Sequence, residues 1–195
     1  MLPNLPAAIP RRGGPITRFI GRAALRAMGW RVEGEFPDRG KLVLIVAPHR
    51  TNWDFVVGLA AKFALALDAS WLGKHTLFRG PWGILFRRWG GIPVDRRSSN
   101  DTVAIVASSF ASRESLILAI APEGTRTIGA RWKTGFWHIA QRAGVPILPV
   151  AFDWPNRVIH IMPTLTPRDL ERDMADLQER YRAVLESGSF SAAVM

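Results

Sequence analysis

The chain predicts a single α/β domain built on a largely parallel or mixed central sheet flanked by helices. Three observations carry this. Short apolar, β-branched runs (41–47, 115–121 and 145–152) are each bounded by Gly, Pro or charged residues, as buried strands are. Stretches of helical period alternate with them, the pattern that wraps helices over a sheet. A length of 195 residues suits one core, and 48% hydrophobic against 22% charged residues excludes a disordered or fibrous chain.

In chain order, residues 15–30 space Ile16, Phe19, Ile20, Ala23 and Ala24 helically, with Arg18, Arg22 and Arg26 recurring on another face. Such a basic amphipathic helix either packs on its own domain or lies in an anionic membrane interface. Residues 1–40 are read as an N-terminal segment carrying this helix, ahead of a main domain at 41–195. KLVLIVA (41–47) is a buried strand leading to His49. DFVVGLAAKFALALD (54–68) is a helix with Asp54 as its N-cap; Lys62 and Asp68 interrupt it, and it is too short to span a bilayer.

Residues 70–72 suit another strand, followed by a short helix through 81–89 and a Gly90-Gly91 turn into Ile92-Pro93-Val94. Ser98, Ser99 or Asn100 caps a helix reaching about Arg113, and SLILAIA (115–121) is the next strand. Trp132 to Ala143 forms a helix ended by Gly144, 145–152 a further strand, and 167–187 a last helix with Leu170, Met174, Leu177, Tyr181 and Val184 on one face. Most of the eight tryptophans are expected in the core, with Trp30, Trp82 and Trp89 as alternatives for a headgroup interface.

The formal charge of +10 favours anionic partners: nucleic acid, lipid surface or phosphorylated substrate. The excess is concentrated at 74–97, where Lys74, Arg79, Arg87, Arg88, Arg96 and Arg97 face Asp95 alone. The charge alone would also suit a non-enzymatic, basic anion-binding module, but no nucleic-acid motif accompanies it. The absence of cysteine excludes disulfides, thiolate metal sites and a Cys nucleophile. His75, His138 and His160 lack zinc spacing, so no metal is expected. Prolines and arginines break the apolar run that a secretory signal needs, and a cytoplasmic protein is expected.

Two loops bear chemistry. In APHRTNWDF (47–55) a histidine at a strand end precedes, by five residues, an aspartate at a helix start. An aspartate on one imidazole nitrogen leaves the other free to take a proton from a hydroxyl, which the substrate would supply. APEGTRT (121–127) again places charges after an apolar strand.

With GIPVDR (91–96) and VPILPV (145–150), these make four ordered blocks over about 43–152, and the chain resembles the glycerolipid acyltransferase family, of the 1-acylglycerol-3-phosphate acyltransferase type. The resemblance implies a glycerol-3-phosphate acyltransferase-like fold and transfer of a fatty acyl group from a thioester, on coenzyme A or acyl carrier protein, to the free hydroxyl of a lysophospholipid. It implies no metal or bound cofactor. His49 would be the general base and Asp54 its orienting partner. Arg96, Glu123, Gly124, Thr125 and Arg126 would form the acceptor's phosphate site, with Lys74, before a Leu-Phe pair as in relatives, completing it. Arginine suits phosphate through its two-pronged donor fork. A carboxylate would repel phosphate, so Glu123 is expected to hold an arginine or loop amides.

Pro48 and Pro93 depart from the common family pattern, whereas Thr51 keeps its usual hydroxyl; a lysolipid other than lysophosphatidic acid therefore stays open as acceptor. With lipid substrates and no spanning helix, the resemblance further implies peripheral attachment to an anionic membrane on its cytoplasmic face.

Overall fold

The computed structural model describes residues 2–49, 51–94, 99–123 and 132–192, without the side chains of 99–102 and 187–192. Helix α1 (Pro15–Ala27) leads into strand β1 (Arg31–Glu33), β2 (Lys41–Ala47), α2 (Asn52–Leu65) and β3 (Ala69–Lys74). A 3₁₀ turn (His75–Phe78), α3 (Pro81–Arg88), β4 (Gly91–Val94), α4 (Ser99–Ala111) and β5 (Leu116–Ile120) follow. The chain continues through α5 (Gly135–Ala143), β6 (Ile147–Asp153), β7 (Val158–Ile161) and α6 (Leu170–Ala192).

The strands form one mixed sheet of order β1-β7-β6-β2-β5-β3-β4. From β6 to β4 all neighbours are parallel; β7 runs antiparallel to β6, with β1 parallel to β7. Period-two alternation along β2 sends Leu42 and Leu44 to one face and Val43, Ile45 and Ala47 to the other. The first face is covered by α1 and α2, through Leu25, Val57, Ala60 and Ala64. The second is covered by α4, α5 and α6, through Phe110, Phe136, Ile139, Leu177 and Tyr181. Chain direction explains this: the crossover from β2 runs to β3, that from β5 returns over β2 to β6, and right-handed crossovers of opposite sense place their helices on opposite faces. The carboxyl ends of β2 and β5 thus flank a switch in strand order, where α/β sheets open a crevice for ligands.

The N-terminal segment is woven into this unit, since β1 forms the sheet's edge and α1 lies on α2. That packing is close because of Gly21: a Cβ there would sit 2.3 Å from the Ala64 nitrogen and 2.7 Å from the Ala60 oxygen. The buried face of α1 is Gly21 and Leu25, whereas Ile16, Phe19 and Ile20 stand out at 76%, 72% and 56% exposure.

Several expectations need correction. Helix α2 begins at Asn52 with Thr51 as its N-cap, so Asp54 is not the cap but the third helical residue. Its carboxylate reaches back to the Thr51 N–H while the Thr51 side chain takes the Asp54 N–H, a reciprocal cap that sets the N-cap three residues earlier. Helix α5 starts at Gly135 rather than Trp132, and Gly144 ends it in the left-handed conformation as expected. The tryptophans do not mostly enter the core: Trp30 and Trp137 are buried, Trp71, Trp89 and Trp132 are half-buried, and Trp53, Trp82 and Trp154 are exposed. Trp30 is no headgroup anchor, because the turn after α1 drops its ring edge-on against Phe152 and Trp154.

Tyr181 ties α6 to the sheet. Its hydroxyl accepts the Val150 N–H at 3.0 Å and lies 2.9 Å from the Ile45 carbonyl, wedged between β2 and β6. Burial pushes this phenol far above its ordinary ionisation range.

Candidate active site

Strand β2 carries the chain through the sheet and releases it at Ala47, one residue before a cis Pro48. His49 is then half-buried at the carboxyl edge, and the first turn of α2 returns Asp54 to the same place, only 1% exposed. Both line one cavity of about 200 Å³ between α2 and the sheet. Its walls are overwhelmingly apolar, including Phe55, Leu59, Leu44, Trp71 and Phe152.

Glu123, just beyond β5, joins the two chemistry-bearing loops. Its Oε2 accepts the main-chain N–H of His49 at 3.1 Å, a contact across 74 residues of sequence. A carboxylate on a backbone amide fixes the path of the loop that presents the imidazole.

Asp54 is held from two further sides. Oδ2 accepts the Thr51 N–H, and Oδ1 accepts the Trp154 indole N–H at 2.7 Å. Trp154 went unnoticed in the sequence because it lies 100 residues from its partner. The available signal was its place directly after β6, whose carboxyl end shares an edge with His49.

The cavity wall also holds Lys62, whose Nζ donates to the carbonyls of Ala69 and Trp89. Burial lowers this ammonium to about 8, with Asp68 opposing and Arg12 adding to the effect.

Of the residues singled out in the sequence, His49, Asp54 and Glu123 converge here. Lys74 ends β3 at the same carboxyl edge and is exposed, not part of the cavity wall. Arg96, Gly124, Thr125 and Arg126 lie outside the described residues.

A family model described as Acyltransferase matches residues 29–153, from the end of α1 to the last residue of β6. The chain belongs to the acyltransferase family. The 1-acyl-sn-glycerol-3-phosphate acyltransferase of Haemophilus influenzae is 30% identical over 162 residues, covering 78% of this chain and 65% of that protein. The Escherichia coli protein of the same name is 31% identical, covering 78% and 64%. The chain thus spans just under two thirds of these relatives' length. The crystal structure of a 1-acyl-sn-glycerophosphate acyltransferase from Thermotoga maritima superposes with a TM-score of 0.63 over 88% of this chain and 78% of that one; at 18% identity the likeness is one of fold. The match places this family's domain over β1 to β6, with both loops inside it.

Proposed function

We propose that the protein transfers a fatty acyl group from a thioester, carried on coenzyme A or acyl carrier protein, to the free hydroxyl of 1-acylglycerol-3-phosphate, giving phosphatidic acid. The observation that carries this reading is the convergence of His49 and Asp54 on the wall of one apolar cavity. The imidazole of His49 takes the proton of the acceptor hydroxyl as its oxygen attacks the thioester carbonyl. The tetrahedral intermediate then expels the thiolate, which leaves with the proton held on the imidazole. Asp54 fixes ring orientation and stabilises the imidazolium. Water has little access to a cavity walled by aliphatic and aromatic side chains, which favours transfer to the lipid hydroxyl over hydrolysis.

The acceptor's phosphate is assigned to Arg96 and Arg126, with Gly124 and Thr125 lending backbone and hydroxyl donors and Lys74 the outer rim. Exposure of Lys74 at the carboxyl edge supports that place for it. Glu123 serves by holding the His49 loop through the main-chain amide.

Attachment is peripheral, on the cytoplasmic face of the membrane. Among the described residues no helix is long and apolar enough to cross a bilayer. Ile16, Phe19 and Ile20 of α1 are exposed beside Arg18, Arg22 and Arg26, an arrangement suited to lying in an anionic interface. Exposed Trp82 and Ile84 on α3 add apolar area.

The test is incubation of purified protein with labelled acyl-CoA and a panel of lysolipids, with product identification. Lysophosphatidic acid is expected to be converted, and His49→Ala is expected to lose about 100- to 10,000-fold in rate while staying folded. Near-normal turnover by a folded His49→Ala protein would remove the mechanism.

A further inference from the structure

We propose that Trp154 is a positioning residue for the catalytic pair, its indole N–H holding the Asp54 carboxylate in the orientation that serves His49. The inference rests on the His49–Asp54 reading above.

The carboxylate belongs to the first turn of α2, and two bonds fix its plane. One comes from its own helix start, the Thr51 N–H on Oδ2. The other comes from across the sheet, the Trp154 Nε1–H on Oδ1 at 2.7 Å. Two donors on different oxygens restrain rotation about the Cβ–Cγ bond, which either alone would permit.

The donor is itself held firmly. Trp30 packs edge-on against Trp154, with ring centroids 5.0 Å apart and planes at 89°, and Trp30 also meets Phe152 at 5.9 Å. The backbone after Trp154 is locked by Asp153, only 2% exposed, whose carboxylate accepts the Asn156 N–H at 3.1 Å and its Nδ2 at 2.8 Å. The turn after β6 therefore cannot swing the indole away without breaking its own cap. A hydrogen bond to a charged oxygen is short and strong, which suits it to setting geometry. Nothing in local propensity requires a tryptophan here; any aromatic would fill the space against Trp30, but only tryptophan and donors of similar reach would meet Oδ1.

The test compares the parent with Trp154→Phe, which keeps an aromatic ring against Trp30 and deletes the donor. Acyl transfer from acyl-CoA to lysophosphatidic acid is measured against the concentration of each substrate, beside thermal unfolding. A fall in kcat of roughly 10- to 100-fold with both KM values within about twofold supports the proposal, that being the range for loss of an outer hydrogen-bond partner. Should Trp154→Phe fold poorly, benzothienylalanine at the same position retains the bicyclic shape and lacks the N–H, and the same kcat loss is expected. Parent-like kcat in a folded variant overturns the proposal while leaving the base intact. Full turnover by His49→Ala would remove the base, and the proposal with it.

Discussion

Asp54→Asn is a conservative change in volume, yet the surroundings of the carboxylate make it costly to the fold as well as to activity. Asp54 is 1% exposed and accepts two donors on different oxygens, Thr51 N–H and Trp154 Nε1–H. An amide offers one acceptor oxygen, so whichever way it turns, its NH₂ faces a donor. One charge-assisted bond, worth about 1.5–3 kcal/mol, is lost, and a part-buried donor is left without a partner, at the low end of about 1–3 kcal/mol. Partial relaxation at the helix start reduces the sum, and a net destabilisation of about 2–4 kcal/mol is expected. For a domain of this size each kcal/mol lowers Tm by about 2–4 °C, giving a fall of about 5–15 °C. The assay is circular-dichroism melting of parent, Asp54→Asn and His49→Ala at fixed pH and salt, with acyl transfer measured alongside. A Tm of Asp54→Asn within about 2 °C of the parent would refute the argument, since it would mean the two donors are readily satisfied elsewhere.

Arg96→Ala and Arg126→Ala are expected to weaken use of a phosphorylated acceptor far more than background thioester hydrolysis; equal losses in both would assign these arginines to the fold or the donor instead. Replacing Arg18, Arg22 and Arg26 with glutamine should lower cosedimentation with anionic vesicles and leave the remainder less sensitive to salt, because surface charges are screened over about 8–10 Å near physiological ionic strength; turnover of a short-chain soluble acceptor should hold, and unchanged vesicle binding across the salt range would remove α1 as the contact. Lys62 has its folded pKa lowered to about 8 from 10.5, so the unfolded chain holds the proton more tightly. Its contribution is fully present above about 10.5 and is lost as pH falls through 8. Relative to Lys62→Met, the parent should therefore gain stability as pH rises across that window in urea titrations, and a pH-independent difference would contradict the burial argument.

The elements legible in the sequence were those whose pattern is local. Strand β2, at 41–47, and the seven-residue β6 are continuous apolar runs because both faces are covered, and Gly144 marked the end of α5 by its left-handed cap. Strands β1 and β7 were not foreseen: three and four residues long, they carry too few side chains to show a period and owe their existence to pairing with each other and with β6. The helix at α1 was visible, but its spacing left open whether the apolar face meets the domain or a membrane interface. Ile16, Phe19 and Ile20 have the hydrophobicity of a core face, while the real contact is made by a glycine, whose value lies in having no side chain. In the candidate site, His49 and Asp54 were singled out by a five-residue spacing taken together with three further ordered blocks. Trp154 was not, because the hydrogen bond that matters closes a loop of 100 residues.

The wedge that Tyr181 makes between β2 and β6 bears on how the chain is assembled during synthesis. The Val150 N–H and the Ile45 carbonyl both bond its hydroxyl, which the chain supplies 31 and 136 residues further on. Until α6 is in place, both strands lack this partner, and one of the two groups, the Ile45 carbonyl, lies four residues upstream of His49. Nascent chains stopped before Tyr181 should consequently be protease-sensitive around β2.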